Sequence, residues 1–216
     1  TAMNQIEFDL ENPGDLNVAQ PKFMKEISKM VKDVSLNDWK TYLRWNLIRS
    51  TANYLSSDFV NERFEFTGKF LNGQKVIRPR WKRVVDATNG SLGEAVGQLY
   101  VKEYFPPEAK KRAKDIVDNL LVSMGERIEK LDWMSEETKE KALEKLDGFG
   151  VKIGYPDKWR DYSDLEIKDD SYVQNILRSN HFDFKYNMSK VGKPVDRTKW
   201  WMTPQTVNAG YSPSMN

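Results

Sequence analysis

Residues 107–131, PEAKKRAKDIVDNLLVSMGERIEKL, decide what kind of fold this chain adopts. Ala113, Ile116, Val117, Leu120, Leu121, Met124, Ile128 and Leu131 recur at intervals of three and four. They trace a continuous apolar seam over about five helical turns, while lysine and arginine occupy the other face. Such a seam predicts a long helix packed against something large.

Working outward, helical periodicity dominates. Phe23, Ile27, Met30, Val31 and Val34 share one stripe, and Pro21 suits the first turn, where a missing amide hydrogen costs nothing. Ser35 with Asp38 predicts the cap of a second helix carrying Leu36, Trp39, Leu43 and Leu47. Ser56, Ser57 and Asp58 offer cap oxygens to a third, with Phe59, Phe66 and Phe70 along it and a turn at Asn72-Gly73. Downstream, Ser135 caps a helix with Glu136 and Glu137 at its positive end, Lys145 near the other end and Gly148 placed to close it. A last long helix covers Tyr172 to Lys190.

Two stretches break the pattern. Phe149, Val151, Ile153 and Tyr155 alternate at period two between glycines, which predicts a short strand or extended crossing. From Gly192 onward, Pro194, Pro204 and Pro213 interrupt helices, and Thr206, Val207, Ala209 and Tyr211 favour extended backbone. This tail predicts a strand belonging to another structural unit, lacking neighbours from about Met202. The expected fold class is therefore mainly α: a multi-helix domain with a short extended crossing segment and a C-terminal strand.

Composition narrows the function classes. A chain of 216 residues is long enough for one large domain or two small ones and should bury roughly 70 per cent of its unfolded surface. Thirty-four basic against thirty-two acidic residues leave a net charge of +2, too balanced for binding driven by counterion release, so no nucleic acid partner is expected. No apolar run reaches the length of a bilayer span, so no membrane contact is expected of this segment. With no cysteine, disulfides and thiolate chemistry are excluded. A start at Thr1 suggests a processed or excised piece.

The candidate chemistry is sparse. A helical zinc-peptidase motif needs two histidines one turn apart and a glutamate beside the first. This chain has one histidine, His181, in Ser179-Asn180-His181-Phe182, and it reads as a packing or surface residue. Asp169-Asp170, Glu136-Glu137 and Asp161 with Asp164 are neighbouring carboxylates in polar stretches, without an apolar wall to fit them for acid-base work. A serine nucleophile has neither a partner base nor a Gly-x-Ser-x-Gly elbow. Gly90, Gly93 and Gly97 could suggest a phosphate cradle, yet Gly93 and Gly97 share a helix face, and close approach by another backbone is the plainer reading. The basic residues Arg78, Arg80, Lys82 and Arg83 around Trp81 read as stacking and carboxylate pairing within the fold.

Several blocks in order carry a family resemblance. They are Pro79-Arg80-Trp81-Lys82-Arg83, Asp86-Ala87-Thr88-Asn89-Gly90-Ser91-Leu92-Gly93-Glu94-Ala95, Gly97-Gln98-Leu99-Tyr100-Val101 and Phe105-Pro106. Leu131-Asp132-Trp133-Met134, Ile153-Gly154-Tyr155-Pro156-Asp157-Lys158-Trp159 and Thr203-Pro204-Gln205-Thr206-Val207-Asn208-Ala209 continue the series. Together they resemble the neprilysin and endothelin-converting-enzyme family of zinc metallopeptidases.

The resemblance implies a division into a poorly matched segment at 1–15, a helical cap at 16–191, and a linker with an edge strand at 192–216 leading toward a zinc domain. It implies a parent enzyme that cleaves small peptides with zinc, acts outside the cytosol, and uses the cap to limit substrate size. Asn208 and Ala209 then correspond to the substrate-binding pair on the edge strand beside the metal. The partners implied are the remainder of the catalytic domain and small peptide substrates. The family's HExxH helix, further glutamate ligand and later histidine have no counterpart here. This portion is therefore expected to hold no catalytic residue and no metal, and to be inactive alone. Gly210 stands where the family is usually aromatic, which removes a side-chain wall and loosens the strand. The alternative is a free-standing helical module that binds peptides or proteins.

Overall fold

The computed structural model describes residues 17–212, so the segment 1–15 and Pro213 lie outside the described residues. The helices are α1 (Pro21–Asp33), α2 (Leu36–Thr51), α3 (Ser57–Arg63), α4 (Arg80–Tyr104), α5 (Pro107–Glu129), α6 (Glu136–Asp147) and α7 (Tyr172–Met188). No strand occurs among the described residues. The mainly α expectation holds, but the C-terminal strand does not form: the backbone from Thr206 to Ser212 has no regular structure. A strand exists only through the hydrogen-bond ladder of a partner, and none lies beside this tail. Likewise Phe149 to Ile153 is a crossing rather than a strand.

Packing divides the chain into two compact units, Thr1–Arg83 with Asp164–Lys193, and Val84–Ser163 with Pro194–Asn216. The tail from Pro194 onward thus groups with the residues of α4, α5 and α6.

In the first unit, Pro21 and Ser35 take their expected places, whereas the cap expected for α3 does not form: Ser56 stands at the N-cap position and makes no side-chain hydrogen bond to the helix. Pro21 opens α1. Ser35 Oγ accepts the Asp38 amide at 3.2 Å, while its hydroxyl donates to Asp38 Oδ2 at 2.7 Å. One of the last carbonyls of α2, that of Arg49, accepts from the Arg63 guanidinium at 2.6 Å, which ties α3 to the end of α2. A single 3₁₀ turn, Ala52–Tyr54, follows α2. Helix α3 widens into a π-helical stretch, Phe64–Leu71, on which Phe66 and Phe70 stack at 6.0 Å. Gly73 ends it at φ +67°, a left-handed conformation that only glycine adopts without steric cost. Thr51, Ala52, Val60, Ile176 and Ser179 are the buried residues here, and Tyr172 at the start of α7 meets Tyr54 edge-on at 5.4 Å. Burial pushes the Tyr172 hydroxyl above its ordinary pKa.

In the second unit, α5 and α6 pack together. Leu146 and Leu143 of α6 face Gly125 of α5, where a β-carbon would meet Leu146 Cδ2 at 3.5 Å, an ordinary contact. Ser135 caps α6 by accepting the Thr138 amide at 3.3 Å. Gly148 follows α6 as expected, but at φ −74°, so no left-handed turn closes the helix. Lys110 of α5 donates to the Tyr155 carbonyl at 2.8 Å and to Asp157 Oδ1 at 2.7 Å, with its ammonium 4.3 Å from the Tyr155 ring centre. That one side chain pins the crossing to α5.

Helix positions follow the expectations more closely than burial does. On α5, Ile128 is buried and Val117 and Leu121 are half-buried, yet Ile116 and Leu120 on the same seam are each 62% exposed. Helix α6 has only 12 residues and covers one flank of a seam wider than itself. Leu43 and Leu47 of α2 and Val31 of α1 are exposed in the same way.

Candidate functional site

The site residues expected from the sequence lie on the tail, and α4 is what holds that tail. Helix α4 is broken at Leu92 (φ −129°, ψ 33°). Such a break interrupts the amide-to-carbonyl ladder, and the Glu94 amide donates instead to the Tyr162 hydroxyl at 3.2 Å. The Glu94 carboxylate accepts the Arg160 amide at 2.7 Å, so this point of α4 also fixes the loop after the crossing.

Just beyond the break, Gly93 and Gly97 are buried one turn apart. A β-carbon on Gly93 would fall 2.7 Å from Thr203 Cγ2, and one on Gly97 would fall 2.9 Å from Pro204 Cδ. The space at these glycines is therefore taken by side chains of the tail, not by the approaching backbone that was expected. Gly90 faces open space, and all three glycines lie within α4 rather than on a loop, so the phosphate-cradle reading gains no support. Gln205 completes the contact. Its Nε2 donates to the Gly93 carbonyl at 3.0 Å and to Asn89 Oδ1 at 3.2 Å. The tail is thus anchored at Thr203 to Gln205, where it was expected to lack neighbours.

Past this anchor the chain turns outward. Thr203 and Thr206 share a hydroxyl hydrogen bond at 2.9 Å, and Val207 is completely exposed. Asn208 and Ala209 are exposed too, and the Asn208 side-chain carbonyl accepts the Ala209 amide at 2.8 Å. This local bond occupies a donor that an extended peptide could use. Beside Gly210, the space where a β-carbon would sit is filled by Trp201, whose Cη2 would be 2.5 Å away. An aromatic surface therefore lies at this position, supplied by Trp201 from upstream in the tail. Tyr211 stacks on Phe149 at 5.5 Å.

The other candidates take structural places. His181 is exposed on α7. Glu136 pairs with Lys139 at 2.8 Å. Asp161 accepts the Ser163 amide at 2.8 Å, and its hydrogen bonds to Ser163 lower its pKa. Asp170 pairs with the Arg178 guanidinium, one bond measuring 2.9 Å, and the Arg178 hydrogen bonds hold its carboxyl far below the usual range. Both shifts run away from what a general acid needs. Lys82 lies over Trp81 at 5.3 Å, the stacking expected of this cluster, while Arg83 Nε donates to the Arg78 carbonyl at 3.1 Å, a backbone acceptor rather than the carboxylate expected.

A resident zinc ion needs several convergent nitrogen, sulfur or oxygen donors. Among the described residues, no three of the histidine, aspartate and glutamate side chains converge in a way that could hold a metal. The donor set present does not fit zinc. Sequence reasoning named Asn208 and Ala209 but gave no role to Gln205 or Trp201. The two glycines one turn apart were the signal for a seat, though not for its occupant.

Comparison with known proteins agrees with this architecture. The model of Peptidase family M13 matches residues 2–156. An endothelin-converting enzyme homolog of Locusta migratoria is 32% identical over 100% of this chain and 31% of its own length. Human endothelin-converting enzyme 1 is 30% identical over 94% of this chain and 28% of its own length. The chain thus spans about a third of the curated relatives it matches. Among solved structures, the Mycobacterium tuberculosis zinc metalloprotease ZMP1 in complex with inhibitor superposes with a TM-score of 0.82 and 44% identity, over 93% of this chain and 30% of that one. PepO from Lactobacillus rhamnosis superposes with a TM-score of 0.70 and 30% identity, over 76% of this chain and 26% of that one. With the family match covering most of its length, the chain belongs to peptidase family M13.

Proposed function

We propose that this chain is part of a zinc metalloendopeptidase that cleaves small peptides, and that it contributes walls and a peptide-gripping segment rather than the reacting groups. The helices form the cap that limits substrate size, and Asn208 with Ala209 hold the backbone of an extended substrate. Zinc belongs to the parent enzyme and is bound by residues outside this chain. The partners are the remainder of the catalytic domain and the peptide, in an extracytoplasmic setting. No helix among the described residues is long and apolar enough to cross a membrane.

One observation carries this reading. Thr203 to Gln205 are seated on the glycine face of α4, while Asn208 and Ala209 immediately beyond are exposed. A carboxamide offers one acceptor and paired donors, which match the two polar groups of a peptide unit. The exposed backbone beside it offers an extended ligand its carbonyls, and the Ala209 amide once its local bond to Asn208 Oδ1 opens.

The test compares two samples on a short quenched peptide with zinc present. The full-length protein is expected to cleave it and to lose cleavage with a chelator. This chain alone is expected to give no zinc-dependent cleavage. Cleavage by this chain alone would overturn the reading, and a full-length protein that binds peptides without cleaving them would favour a helical binding module.

A further inference from the structure

We propose that Gln205 is a positioning residue for peptide binding: it clamps the tail to α4 so that Asn208 and Ala209 are presented in one fixed place. This rests on the substrate-binding reading of that pair.

The clamp has two parts and one cost. The first is the paired use of one amide nitrogen. Both Nε2 hydrogens of Gln205 are spent, one on the Gly93 carbonyl at 3.0 Å and one on Asn89 Oδ1 at 3.2 Å. The Gly93 carbonyl can only accept, so the amide has a single workable orientation; flipping it would set two oxygens against each other. The second is steric. Pro204 lies against Gly97, with its ring Cδ 2.9 Å and Gln205 Oε1 3.1 Å from where a β-carbon would be. Proline cannot rotate away, so the seat is open only while residue 97 is glycine. The cost is a buried acceptor. Gln205 Oε1 is shielded from solvent without a hydrogen-bond partner among the described residues. An unpaired buried acceptor costs free energy, so it opposes the clamp rather than forming part of it, and the clamp rests on the donor side and the packing.

Two hydrogen bonds and a rigid ring thus end three residues before Asn208. Without them the tail keeps the Thr203 contact and the Tyr211 stack on Phe149 but loses the fixed point between them, and the substrate backbone meets a distribution of positions instead of one. Ordering that distribution on binding opposes affinity. The bond-breaking groups lie elsewhere, so the defect falls on KM rather than on kcat.

The experiment uses the zinc-loaded full-length protein with Gln205→Met, Gly97→Ala and Asn208→Ala, and two readouts. Gln205→Met keeps size and removes both donors. Hydrogen exchange of the Thr206 amide, which donates to the Thr203 carbonyl at 3.0 Å, is expected to quicken about tenfold in Gln205→Met and in Gly97→Ala. KM for a short quenched peptide is expected to rise about tenfold with kcat within about twofold, each tenfold step corresponding to about 1.4 kcal/mol. Should Gln205→Met fail to fold, Gln205→Asn, one methylene short of its acceptors, serves instead, and transferring that methylene back with Asn89→Gln is expected to recover part of the KM. Unchanged exchange in both the residue 97 and residue 205 variants would overturn the clamp. If Asn208→Ala leaves KM unaltered, the substrate-binding reading fails, and the exchange data still decide whether the clamp exists. If Asn208→Ala raises KM while the clamp variants do not, positioning by Gln205 is wrong and the substrate-binding reading stands.

Discussion

At Gly154 the backbone takes φ +77°, and the Phe105 ring stands where a β-carbon would project. Alanine at this position meets two penalties, a left-handed backbone and overpacking against an aromatic ring. We expect Gly154→Ala to cost about 2 kcal/mol or more, read from the urea midpoint of unfolding. Gly97 differs, because it lies within a helix and alanine there regains about 1 kcal/mol of helix propensity while striking Pro204. At this scale the sequence was informative about need but not about partner. Gly93 and Gly97, one turn apart, signalled close approach, yet their occupant lies more than a hundred residues further on, as the separation of 112 between Gln205 and Gly93 shows. Asp170 is similar. Its run of polar neighbours read as solvated surface, and Asp170 is exposed, but the sequence did not name its partner, Arg178 of α7.

Among the elements, helices and their caps were legible because their determinants are local. Ser35, Ser135 and Pro21 act on residues within one turn, so a few letters suffice. The C-terminal strand was not legible in the same way, since a strand is a relation between two segments and its letters state only a preference. The loop before α7 shows how side chains can stand in for such pairing. Asn175 donates to the Lys168 carbonyl at 2.7 Å and accepts the Lys168 amide at 3.0 Å, and Arg178 holds Asp170 beside it. Arg178 depresses the Asp170 pKa, so the stabilisation from ionised Asp170 is complete above the unfolded value of about 3.9 and is lost as the pH falls from there toward the lowered folded value. The difference in urea midpoint between the native protein and Asp170→Asn should therefore be level from about pH 7 to pH 5 and shrink below about pH 4. A difference that stays level down to about pH 2 would remove Asp170 ionisation as its source.

For the molecule as a whole, the two packing units are interleaved along the chain, since Asp164–Lys193 returns to the first and Pro194–Asn216 to the second. We expect a chain ended at residue 193 to leave the glycine face of α4 without Thr203 and Pro204. Hydrogen exchange in that part of the helix should then quicken, while protection equal to that of the intact chain would contradict the seating of the tail. The same interleaving sets an order of events on the ribosome. Helices α1 to α3 emerge first but must wait for Ile176 and Ser179 of α7 before their buried cluster can close, and α4 waits longer still for Gln205. Nascent chain shorter than this therefore carries two unfinished cores at once, the condition in which apolar surface is most open to aggregation.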